Sequence, residues 1–369
     1  MLNLIEAAEP RKVRHRPLPS HRLQVLFAMS TRSPDDASWR PLALAGSVAL
    51  GTYAAGAVAR WVIQQRLPSP AGLPPAIDDA TARTFELPQG RVNYYVRPGT
   101  GPPVVMWHSF NAAASSFEMR PIFQNLAATT DRPLYAVDWL GFGRSARPDV
   151  AYEPALYLQQ VRQFLQQRVQ EPADLVGLSL GGEYAARVAH ELPTHVRRLV
   201  LISPTGLGND RGPSPLGRFF VRASGSIGAF ELLYYALTRR TSIRGFYARQ
   251  VFLDPTRIPD ALVDYAYVTS HARGAHHAPR RFVDGTLFPP TSAADIYARL
   301  YRPTLLITPR DAEDMVQDFG RVAEVLEQNA RDLTRQRLTT GLLPQWEAPE
   351  RLFEALDAFL LTDTPAHAH

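Results

Sequence analysis

Apolar residues along this chain fall into two alternating patterns. Short unbroken runs at Pro103–Trp107 (PVVMW), Leu134–Asp138 (LYAVD), Leu175-Val176, Arg198–Ser203 (RLVLIS) and Pro303–Ile307 (PTLLI) read as strands buried on both faces. Between them lie longer stretches that read as helices: one from about Ser116, one over Pro154–Val169, one from Glu183, and one over Pro349–Leu361 with proline in its first turn. Arg83–Leu87 and Arg91–Arg97 flank Pro88-Gln89-Gly90 as a β-hairpin, and Arg331–Leu338 reads as the last strand. Strands alternating with helices predict an α/β class, a mostly parallel twisted sheet flanked by helices.

The rhythm breaks in two places. From Pro204 to Leu300 it gives way to aromatic helical runs (Phe219-Phe220, Phe230 to Tyr235, Tyr265 to Tyr267) and a histidine-containing stretch, so residues 204–300 are expected to form a helical insertion. From Leu42 to Ala59 no residue is charged and small residues dominate. That length approaches the ~20 residues that cross a bilayer. Gly46, Gly51 and Gly56 suit close helix packing, and Arg60 and Trp61 suit an interface. Residues 41–63 therefore read as a membrane anchor helix. Basic residues precede it, which places the N-terminus in the cytoplasm and the following domain on the extracytoplasmic side; without an anchor the chain would be cytoplasmic. Residues 1–40 are polar, basic and expected to be disordered. Residues 64–82 read as a proline-rich linker, 83–203 and 301–361 as the core, and 362–369 as a tail.

Composition changes this picture little. The 369 residues, 45% of them hydrophobic, suffice for one large α/β domain. The absence of cysteine excludes disulfides and thiolate metal sites. The net charge of +5 lies largely before residue 70, so it is not the footprint of a nucleic-acid partner, and none is expected. No metal or cofactor is expected. Gly141, Gly143 and Ala146 fit a dinucleotide fingerprint, but Pro148 and a polar loop follow where a helix would have to begin.

The chemistry concentrates in Gly177-Leu178-Ser179-Leu180-Gly181-Gly182, set between a strand and a helix. This G-x-S-x-G pattern, with His108-Ser109-Phe110-Asn111 after an earlier strand and Asp138-Trp139-Leu140-Gly141-Phe142-Gly143-Arg144-Ser145 after another, resembles the α/β-hydrolase superfamily, of the capped esterase or lipase or C–C-hydrolase type, over about 84–361. The resemblance implies an α/β-hydrolase fold with residues 204–300 as its cap. It implies Ser179 as nucleophile, Asp311 as the acid (Asp314 the second choice), and the amides of Phe110 and Leu180 as the oxyanion hole. An aspartate nucleophile of the dehalogenase or epoxide-hydrolase kind is excluded by Ser179.

The family's histidine segment departs from pattern. In Thr339-Thr340-Gly341-Leu342-Leu343-Pro344-Gln345-Trp346-Glu347-Ala348-Pro349-Glu350, Leu342 occupies the histidine position, and leucine carries no proton. The candidate surrogate bases are His271, His276 and His277 of the cap. Two readings follow. One is a serine hydrolase of esterase or lipase type with a degenerate triad, acting on an apolar small-molecule or acyl substrate. The other is a catalytically inactive relative that binds an apolar small molecule or a protein partner.

Overall fold

The expected strands form a single eight-stranded sheet in a computed structural model, which describes residues 57–58, 61–62, 64–205, 229–309, 319–330 and 332–362. They are β1 (Thr81–Leu87), β2 (Gly90–Arg97), β3 (Val104–Trp107), β4 (Leu134–Val137), β5 (Ala173–Leu178), β6 (Val196–Ile202), β7 (Thr304–Pro309) and β8 (Leu333–Leu338). Their order is β1-β2-β4-β3-β5-β6-β7-β8. The β1–β2 hairpin and the β2–β4 pair are antiparallel; from β4 to β8 every pairing is parallel. The central strands are buried on both faces because helices cover both. Successive side chains of β5 show it: Leu175 joins one apolar cluster, while Val176 and Leu178 join the other.

The core helices are α1 (Arg120–Thr129), α2 (Pro154–Phe164) and α3 (Leu180–Glu191). The insertion contains α4 (Ala229–Leu237), α5 (Arg240–Phe246), α6 (Asp260–Ser270), α7 (His277–Val283) and α8 (Ala293–Tyr297). The chain returns to the sheet and adds α9 (Phe319–Asn329), α10 (Pro344–Glu347) and α11 (Pro349–Leu360). The insertion is latched to the core helix α3. The Tyr184 hydroxyl donates to the Leu287 carbonyl, and the Arg187 guanidinium pairs with Glu183 and donates to the Thr291 carbonyl.

The proline-rich stretch 64–82 follows the body of the protein closely. Arg273 N–H donates to the Pro68 carbonyl, Arg144 to that of Ala71, and the Tyr265 hydroxyl to that of Pro74. Ala76 and Ile77 are fully buried. By its contacts the chain divides into Met1–Ala55 and Gly56–His369, and the first unit lies outside the described residues. Most of the segment 41–63, the basic stretch 1–40 and the end of the tail also lie outside them. No helix among the described residues is long and apolar enough to cross a membrane.

Candidate active site

β5 ends at Leu178 and α3 starts at Leu180, so one residue makes the whole turn between them. That residue is Ser179, with φ 53° and ψ −126°. Its N–H continues the sheet by donating to the Ile202 carbonyl at 2.9 Å, while its own carbonyl accepts from Gly182 N–H at 3.0 Å and opens the helix. A turn this tight brings backbone onto backbone. A Cβ on Gly177 would lie 2.4 Å from the Gly182 α-carbon, and one on Gly181 would lie 2.3 Å from the His108 carbonyl oxygen. Only glycine fits either position. Holding a serine at positive φ costs on the order of 1–3 kcal/mol. The side chain is half-buried, and its hydroxyl makes no hydrogen bond among the described residues.

The loop after β3 is held open beside it by a buried carboxylate. Glu118 accepts from Ser109 N–H (2.9 Å), the Ser109 hydroxyl (3.0 Å) and the Asn111 side-chain amide (2.9 Å). Burial pushes the Glu118 carboxyl above its ordinary range, and these three donors pull the other way. The Phe110 ring is locked among Trp139, Phe142, Tyr157 and Tyr184 at centroid distances of 4.9–5.5 Å. Among the described residues neither Phe110 N–H nor Leu180 N–H finds an acceptor. Leu180, at the first turn of its helix, has none within the helix by construction.

His108 is buried and structural. Its Nε2 accepts from Trp139 N–H at 3.2 Å, which leaves Nδ1–H to donate to the Ser109 carbonyl at 2.7 Å. Burial pushes its pKa down to about 4, against the pull of Asp138. The glycine-rich turn after β4 is also structural. It wraps the Asp138 carboxylate, which accepts from Ser116 N–H, Arg144 N–H and the Asn93 amide, and a Cβ on Gly143 would strike that carboxylate at 2.1 Å. The glycines that mimic a dinucleotide fingerprint serve this turn.

Asp311 and Asp314 lie outside the described residues. Leu342 is half-buried and packs against the apolar cluster that contains Leu178 and Phe117. The cap histidines all have other engagements. His271 Nδ1 meets the Tyr267 carbonyl at 2.9 Å, and burial lowers its pKa. His277 Nδ1 meets the Arg147 carbonyl at 3.1 Å, and His276 Nε2 stands 3.7 Å from the Glu231 carboxylate. None of the three forms a hydrogen bond with the Ser179 hydroxyl.

The sheet register adds two residues that the sequence reading did not single out. Leu178 pairs with Ile202, and Ile202 with Ile307, so Ser179, Ser203 and Thr308 stand side by side at one level. Ser203 also has positive φ (45°), and the Ser203 and Thr308 hydroxyls are buried and have no hydrogen-bond partner among the described residues. A serine directly after an apolar strand was the available signal. No group of residues suited to a metal ion occurs among the described residues. A surface groove of about 500 Å³ lined by Arg198, Pro303, Asp332 and Phe359 lies at the opposite ends of β6–β8 and is separate from this site.

The chain is similar to several known proteins. Rat "1-acylglycerol-3-phosphate O-acyltransferase ABHD5" is 31% identical over 134 residues, 34% of this chain and 36% of that protein. The chain thus spans about a third of the length of that relative. The 2-hydroxymuconate semialdehyde hydrolase of Pseudomonas sp. strain CF600 is 29% identical over 223 residues, 58% of this chain and 71% of the relative. The structure of 2-hydroxy-6-oxo-6-phenylhexa-2,4-dienoate hydrolase from Rhodococcus sp. strain RHA1 matches with a TM-score of 0.61 at 18% identity, covering 77% of this chain and 99% of that one. The sequence profile of the alpha/beta hydrolase family matches residues 104–355, well over half of the chain. With its crossed-over parallel sheet and its one-residue serine turn, this chain belongs to the α/β-hydrolase family.

Proposed function

We propose that the chain is a serine acyl hydrolase of the esterase or lipase type with a degenerate triad, acting on an apolar ester. The observation that carries this reading is Ser179: a residue at positive φ, in the one-residue turn between β5 and α3, whose hydroxyl makes no hydrogen bond among the described residues. Ser179 Oγ attacks the acyl carbonyl carbon, and the Phe110 and Leu180 amides receive the developing negative oxygen. The alkoxide leaves, and water later releases the acid from the acyl-serine. Asp311 is the proposed acid. With Leu342 where an imidazole would stand, the hydroxyl proton has no base at that position. Loss of the triad histidine in a well-studied serine protease costs on the order of a million-fold in turnover, with roughly a thousand-fold over water remaining. His271, His276 or His277 would have to leave its present partner to serve as base. A fluorophosphonate probe tests the reading: labelling lost in Ser179→Ala supports it, and absence of labelling in folded parent protein rejects it.

One observation favours the second reading, an inactive binder of an apolar small molecule or protein. Leu342, at the register of the family's histidine, packs against an apolar cluster and offers apolar contact in place of a base. The segment 41–63 is proposed as a membrane anchor that places the hydrolase domain outside the cytoplasm; flotation of full-length protein with membranes tests it.

A further inference from the structure

Helix α4 of the cap is apolar on both sides. Phe230 and Tyr234 are buried on its inner face with Ala275, while Leu232, Leu233 and Leu237 are 51–59% exposed on its outer face. Its one charged residue, Glu231, is buried on the inner side, so the helix turns no charged side chain to water, and such an outer face belongs in a core or against lipid. A second exposed apolar pair, Val58 and Trp61, lies on the helical backbone at 57–58, 61–62 and 64–66. The two elements are tied together at Gln64. Its side-chain amide donates to the buried Glu231 carboxylate and to the Tyr235 hydroxyl, and its carbonyls accept from Arg273 and from Gly274 N–H. Arg66, Arg239 and Arg273 are exposed beside this junction.

We propose that the outer face of α4, together with Val58 and Trp61, is a docking surface for an anionic lipid bilayer, which the cap meets edge-on. Lipid is the occupant because of where the patch begins: Val58 is the next-to-last residue of the uncharged run Leu42–Ala59, and Trp61 follows two residues after its end. The exposed arginines supply the attraction to anionic headgroups that apolar area alone lacks. The choice of lipid is shared with the proposed anchor, but the claim is separate, since an anchored domain could equally turn this face of the cap away from the membrane.

The chain contains no cysteine, so a single introduced thiol takes a reporter specifically. Full-length Leu233→Cys, Leu237→Cys and, as control, Tyr301→Cys are each labelled with an environment-sensitive fluorophore and placed in phosphatidylcholine–phosphatidylglycerol vesicles. The expected result is a blue shift and several-fold brighter emission at 233 and 237 and none at 301. Flotation with the vesicles while both cap reporters stay water-exposed overturns the docking and leaves the anchor standing. A shift that fades as lipid is added in excess marks a second copy as the occupant and overturns it as well. Failure to float removes both claims.

Discussion

The Leu342 N–H donates to the Val251 carbonyl over 2.7 Å, so the loop that carries the family's base is stitched here to the cap. Two further bonds close the seam: the Glu347 carboxylate accepts from Gly341 N–H and from Asp254 N–H, both at 2.6 Å. A Cβ on Gly341 would lie 2.0 Å from the same Val251 oxygen. Gly341→Ala therefore must pry the seam apart, and a loss of about 2–3 kcal/mol is expected in denaturant titration.

Leu342→His restores an imidazole at the expected register. If the oxyanion loop and nucleophile are as proposed, p-nitrophenyl ester turnover rises at least ten-fold over the parent, and Ser179→Ala in the same background removes the gain. No rise, with an unchanged melting temperature, would show that the seam holds position 342 away from the serine.

Ser179 sits at φ 53°, where glycine is unstrained. Ser179→Gly is expected to stabilise the fold by about 1 kcal/mol while abolishing probe labelling, and Ser179→Val to destabilise it. A loss of stability on Ser179→Gly would contradict the strain assigned to this turn.

His108 carries a pH dependence with a definite sign. Its pKa drops from 6.5 to about 4 on folding, so between those values the unfolded chain binds the extra proton. Stability contributed by neutral His108 is present above pH 6.5 and is lost as pH falls toward 4, on the order of 3 kcal/mol in all. Denaturation midpoints measured across that window should show this slope, and His108→Gln should flatten it.

Glu118→Ala leaves Ser109 N–H and its hydroxyl buried without their acceptor. A cost of about 1–3 kcal/mol per lost partner is expected. A slower fluorophosphonate reaction should accompany it, because the Phe110 amide loses its support; unchanged labelling kinetics would deny the loop its proposed part.

Much of this architecture was legible in the chain because burial on both faces leaves unbroken apolar runs, and the strands fall on PVVMW, LYAVD, RLVLIS and PTLLI. Edges were less legible. The elbow helix was expected from Glu183 and begins at Leu180, because a single positive-φ residue turns the chain. The expected helix Pro154–Val169 is there, but only Pro154–Phe164 is α; Leu165–Val169 closes it as a wider π-turn that stops at Gln170 in the left-handed region. At the site, glycine spacing announced Ser179, since close backbone approach excludes side chains. Glu118, Glu347 and Gln64 left no such mark. Their importance comes from which amides they meet in three dimensions, and a lone carboxylate or amide has no local period. Ser203 and Thr308 became neighbours of Ser179 only through strand register.

Gln64 has a mechanical consequence. A pull on the chain upstream of residue 64 would reach the cap first, through Glu231, Tyr235 and Gly274, and only afterwards the sheet. A fragment started at the first strand would therefore keep every catalytic candidate yet lose the handle by which the N-terminal segment steadies the roof above them.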